Sequence, residues 1–233
     1  MERAYEEGRR IAAPLGDAAT EGEALLGLAF AAAMREDAAA RDDFLARSRE
    51  RYEAADDPVG LGRVIMAHAF LGPRERVDTA QFRRLAGEAA GLLLRGGDRV
   101  GWVETMQGLA LTAAIDGDLA AAREIMRNTL DHGLRSLNRA ALVVTTEGVA
   151  FTANLAGEHD RAARLAGAID RLAEVLGVVV PHPLRVITHV RETAREALGD
   201  ETFRIRVEEG RAMTFERAVG YARESLEALT SGR

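Results

Sequence analysis

Along most of this chain apolar residues recur at intervals of three and four, the spacing that puts them on one face of an α-helix. In 119–132 they are Leu119, Ala122, Ile125, Met126 and Leu130, and in 160–176 they are Ala162, Leu165, Ala166, Ile169 and Leu172. The segment before each carries small residues at helical spacing, Gly108 with Ala113 and Gly148 with Ala153, which admit a closely packed partner. Between the two members of a pair stands a Gly-acidic turn, Gly117-Asp118 or Gly157-Glu158. Glycine supplies a left-handed stop, and the acid a start signal for the next helix. The pattern predicts helix pairs at 20–34 with 38–54, 58–71 with 79–95, 98–115 with 119–132, and 137–156 with 160–176. β-branched runs are nearly absent, Val178-Val179-Val180 being the longest.

The pairs repeat. Setting Arg99–Asp118 against Arg139–Glu158, an offset of 40, gives eight identities in twenty positions, Gly108/Gly148, Ala110/Ala150 and Gly117/Gly157 among them. Fainter copies lie at Gly27–Ala31 and Ile65–Ala69, with Ala29 and Ala67 aligned on Ala110. Units of this kind bury their faces only by stacking on neighbours. The expected fold is all-α: a tetratricopeptide-like helix-turn-helix repeat solenoid, a single domain over 1–233. Residues 1–17 read as a truncated repeat helix whose partner is missing, 18–177 as about four helix pairs, and 181–233 as C-terminal capping helices. An apolar strip on the first helix (Ala4, Ile11, Ala12, Leu15) suggests a homodimer formed through that end.

Composition narrows the function classes. The chain is 47% hydrophobic and 29% charged, too apolar for disorder. It has no cysteine, which removes disulfides, thiol nucleophiles and thiolate metal sites. Its basic residues other than histidine are all arginine, so a phosphate loop ending in lysine cannot form. The net charge of −6 and the lack of an acid-free basic cluster argue against nucleic acid. No apolar stretch approaches the roughly 20 residues of a membrane span, so a cytoplasmic location is expected.

The C-terminal third resembles a known family. Gly157-Glu158-His159-Asp160-Arg161-Ala162-Ala163-Arg164-Leu165-Ala166-Gly167-Ala168, running to Leu176-Gly177 and Pro181, is similar to the last repeat of the tetratricopeptide-like region in large ATP-binding LuxR-type bacterial transcriptional regulators and their relatives. Ala197–Phe203 and Glu209–Ala218 resemble the ending that often follows. The resemblance implies a region that senses a ligand or partner beside a nucleotide-binding switch domain. The chain has no ATPase module and no evident helix-turn-helix, so it is either a fragment of such a regulator or a free-standing relative.

Superposed on the tetratricopeptide register, the first helices place Glu104, Gln107 and Leu111, then Glu147, Phe151 and Asn154, on a concave face. His68 takes the slot of Phe30, Leu111 and Phe151, and Trp102 offers a stacking surface if exposed. Such a groove suits a small ligand or an extended peptide; the plainer reading is that these are ordinary packed or solvated positions. Arg99 and Arg139 recur and read as structural. His182 and His189 lack a third metal ligand, and the acidic pairs Asp42-Asp43, Asp56-Asp57 and Glu208-Glu209 read as solvated faces. No cofactor or metal is expected. No acid, base and oxyanion site assemble, so the expectation is a non-catalytic sensor, with a plain protein-interaction scaffold as the alternative and an enzyme on a helical array as the third reading.

Overall fold

Residues 2–71, 79–136, 139–177 and 186–228 are those that the computed structural model describes; twelve α-helices hold 89% of them, and no strand occurs among them. The first six are α1 (Glu2–Leu15), α2 (Ala18–Met34), α3 (Ala38–Ala54), α4 (Pro58–Leu71), α5 (Thr79–Gly96) and α6 (Arg99–Ile115). Then come α7 (Leu119–Ser136), α8 (Arg139–Leu155), α9 (His159–Leu176), α10 (Ile187–Leu198), α11 (Asp200–Arg211) and α12 (Phe215–Ala228). The spans expected for the four helix pairs match these closely, and Pro181, His182 and Pro183 lie outside the described residues.

Among the described residues one turn is used six times. A residue with positive φ ends a helix at Gly16, Glu36, Asp56, Gly97, Gly117 and Gly157. At each, its N–H and that of the next residue reach back to the last turn: Glu36 N to Ala33 O and Asp37 N to Ala32 O, or Gly117 N to Ala114 O and Asp118 N to Ala113 O. This paired closure satisfies carbonyls that a helix end otherwise strands. The following acid then caps the next helix, as when Asp17, Asp37 and Asp118 accept from the N–H groups of Thr20, Ala40 and Ala121. These positions step by 20 residues, or by 41 and 40 at two places, that is by half or all of the repeat seen in the sequence. Asp56-Asp57 is therefore such a turn and not a solvated acidic face: Asp56 adopts φ 51° and Asp57 accepts from Val59 and Gly60.

The chain divides within α6 into two compact units, Met1–Thr105 and Met106–Arg233, where the sequence suggests one continuous domain. Repeat units touch mainly their neighbours, so contacts stay local and a partition costs few of them. In the first unit Leu26, Ala29, Leu45, Val64 and Ala67 form a core, and the Tyr52 ring lies where Cβ atoms on Gly22 and Gly60 would stand. α1 packs on α2 through Tyr5, whose ring covers Gly27, and through buried Ala12. Of the strip read from the sequence, Ala12 is thus covered, while Ala4, Ile11 and Leu15 stay exposed.

The second unit has the larger core, running from Ala110 through Met126, Phe151 and Leu165 to Leu226. The C-terminal helices pack sideways: α10 against α8 and α9, α11 against α9, and α12 against α7, α8 and α9. The closest crossing joins α9 to α11, where Gly167 faces the Val207 carbonyl and Gly210 the Arg164 carbonyl with no room for a Cβ on either. Ion pairs bracket it, Arg206 with Asp160, Arg164 with Glu209 at 2.6 Å, and Arg211 with Glu174.

Candidate functional site

The repeated turn fixes a register. Counting seven residues from the positive-φ position gives Glu23 on α2, Arg63 on α4 and Glu104 on α6, equivalent positions in three successive first helices of the first unit. They meet. Arg63 binds Asp98 at 2.9 Å and approaches Glu23 at 3.9 Å, while Glu23 accepts a hydrogen bond from the Tyr52 hydroxyl at 2.8 Å. Asp98 is mostly buried and also caps α6 by accepting from Gly101. Glu104 keeps an exposed side, yet crowding around its carboxyl raises its pKa; Asp98 adds to the rise and Arg63 opposes it. The Tyr52 hydroxyl is pushed upward by burial first and by its bond to Glu23 second. Two carboxylates, Glu23 and Asp98, thus pair with one guanidinium, whose charge also reaches Glu104.

The same register corrects the alignment of His68. Counting fourteen residues gives Phe30, Phe70 and Leu111, so Phe70, not His68, is the counterpart of Phe30, Leu111 and Phe151. Ala67 and Ala69 both fit the aligned alanine, and Asp56 hid the turn that would have chosen between them. Phe70 packs edge-on against Phe82 with centroids 5.3 Å apart. His68 follows Arg63 by five residues, about 140° around the helix at about 100° per residue. It therefore belongs to another face.

That face forms the floor of a groove between α3 and α5. Val64, Ile65 and His68 of α4 lie at its base, Leu45 and Ala46 on the α3 wall, and Leu85 on the α5 wall. The cavity measures about 490 Å³, within the range of small-ligand sites. Its rim is charged: Asp42 and Arg49 from α3, Arg84 and Glu88 from α5. Asp42 is bonded to Arg41 and Arg49 to Glu53, whereas Arg84 and Glu88 make no ion pair or hydrogen bond among the described residues. Sequence reasoning singled out His68 as a contact residue and none of the other groove residues as such, because the walls come from second helices that the repeat alignment leaves faint.

The eight residues singled out from the sequence do not gather into one open face. His68, Trp102 and Glu104 belong to the first unit, where Trp102 is half-buried. Gln107, Leu111, Glu147, Phe151 and Asn154 belong to the second, and their roles there are internal. Gln107 donates to the Val144 carbonyl at 2.9 Å, reaching past Gly148, whose missing side chain leaves room for it and for Met126. Leu111 is half-buried against the core. Glu147 is only 2% exposed, so it is an interior carboxyl and not an exposed contact group. Phe151 is buried and faces the His189 ring at 6.2 Å; Asn154 donates to Thr193 at 2.5 Å and pairs with His159 at 3.0 Å. Both partners on α10, His189 and Thr193, sit over the α8 face expected to be open.

Arg139 does have a structural bond, to the Leu176 carbonyl that ends α9. Among the described residues no group of three or more His, Asp and Glu is placed to hold a metal; His182 lies outside them. No described helix is long and apolar enough to cross a membrane. No protein-family model matches the chain, and no curated protein matches it significantly.

Proposed function

We propose that the chain is a non-catalytic helix-pair module that senses a small ligand in its first unit, in a bacterial transcriptional regulator of the kind its C-terminal third resembles. The observation that carries this reading is the groove between α3 and α5, with an apolar floor, a charged rim and a volume suited to a small molecule. Binding there would bridge three helices, α3, α4 and α5, and so bias their arrangement toward the bound form. Ala46 is exposed on the groove wall, so Ala46→Trp fills the cavity while leaving the core alone. A thermal-shift screen of cellular metabolites should find compounds that raise the melting temperature of the parent but not of Ala46→Trp. A screen in which no compound distinguishes the two proteins overturns the sensing reading.

A second reading, a protein-docking scaffold, is favoured by one feature: the row Glu23, Arg63 and Glu104, where acidic charge exceeds basic on an accessible face. A basic partner segment would fit it, and Glu104→Arg would abolish docking while Ala46→Trp would not.

A further inference from the structure

The groove's rim carries a pattern that narrows what it holds. Arg84 and Glu88 stand one helical turn apart on α5, and both line the cavity. Such i, i+4 neighbours of opposite sign pair readily on a helix surface, their Cβ atoms being about 6 Å apart. Here they do not, although Arg49–Glu53 and Arg47–Asp43 at the same spacing on α3 do pair. Of the four charged groups at the rim, the two on α3 are paired and the two on α5, one of each sign, have no partner among the described residues. Beneath them Leu85 is half-buried, Ala46 and His68 are exposed, and Val64, Ile65 and Leu45 close the bottom as buried core residues.

We propose that this groove takes a short zwitterionic peptide with apolar side chains, a dipeptide being the smallest that fits; this rests on the ligand-sensing reading above. Arg84 holds the carboxylate, for which its planar fork is suited. Glu88 holds the ammonium. One trans peptide bond sets the two α-carbons about 3.8 Å apart, so the charged termini of a dipeptide, one bond beyond each, are separated on the scale of the roughly 6 Å between i, i+4 Cβ atoms. The side chains then lie on the aliphatic floor, and His68 at its end offers a ring nitrogen to the peptide group. A ligand with one charge only engages a single member of the Arg84 and Glu88 pair and forgoes the second charge-assisted contact, which disfavours it.

The test uses isothermal titration of the full chain with Leu-Leu, acetyl-Leu-Leu and Leu-Leu-amide. The expected result is binding of Leu-Leu at least tenfold tighter than of either capped form. Arg84→Gln should then bring Leu-Leu-amide level with Leu-Leu, and Glu88→Gln should do the same for acetyl-Leu-Leu. Both sites are exposed, and circular dichroism checks that each variant keeps its helices. Equal affinity for all three peptides, no binding of any, or variants that weaken the three alike would overturn the proposal. If a compound of another class binds and Ala46→Trp blocks it, the sensing reading stands and the dipeptide assignment falls.

Discussion

Glu36 and Asp56 hold the same left-handed backbone as the turn glycines, with φ of 60° and 51°. A side chain there costs roughly 1–2 kcal/mol, less for aspartate, which visits this region more readily. Glycine removes that strain but gives back about 0.5–1 kcal/mol in the unfolded chain. Glu36→Gly should therefore stabilise by about 0.5 kcal/mol, and Asp56→Gly by less, as read by urea unfolding; a loss in Glu36→Gly would show that its side chain compensates the strain. Glu104 offers a pH-dependent counterpart. Its folded pKa is raised, so the folded chain holds the proton more tightly than the unfolded one. Its contribution is most favourable below the ordinary carboxylate range and is lost as pH rises through the raised value. Glu104→Gln should raise the melting temperature slightly at pH 7, and the difference should vanish near pH 4. An unchanged difference at both values would count against the crowding of that carboxyl.

At the scale of elements, glycines mark crossings of two kinds. The space a Gly148 side chain would need is filled by the Met126 thioether and the Gln107 chain, both able to swing aside. At Gly167 and Gly210 the obstacle is helix backbone, fixed by its own hydrogen bonds. Gly148→Ala should thus cost under about 1 kcal/mol, and Gly210→Ala more than about 2 kcal/mol, by denaturant unfolding. Similar losses in the two would mean that α9 and α11 can part cheaply. The sequence pointed to Gly148 because it recurs, whereas Gly167 and Gly210 have no counterpart at one period and meet only through folding. Helix spans were readable because apolar spacing and Gly-acidic turns are local signals. The turns at Glu36 and Asp56 were not, since no glycine marks them, and with them went the register of α4 and the identity of Phe70 as the repeated aromatic. The groove stayed hidden for a related reason: its walls are second helices, compared in the sequence only by their apolar spacing.

For the whole molecule, the repeat read from the sequence suggests one array with a cap at its end, and the cap is where that picture departs most from the structure. α10 carries Ile187, Val190 and Ala194 as its buried face, a pattern legible as amphipathic but silent about what it covers. It covers α8, which turns Phe151 and Asn154 from presumed contact groups into interior ones. The second unit therefore combines repeat helices with added helices around one large core, while the first keeps smaller cores of paired helices. In arrays whose contacts are local, stability is distributed and segments open with different free energies. Hydrogen exchange followed by mass spectrometry can read this directly. Gly210→Ala should speed exchange across α9 and α11, and to a smaller degree in α8 and α10, which pack on α9. Amides of α2–α4, whose protection rests on Leu26, Tyr52 and Val64, should keep their parent rates. The reciprocal variant, Tyr52→Ala, leaves a cavity between Gly22 and Gly60 and should cost about 3 kcal/mol or more, with its effect confined to the first unit. Uniform acceleration along the whole chain in either variant would instead mean that it opens as a single cooperative body, and the division within α6 would then have no energetic counterpart.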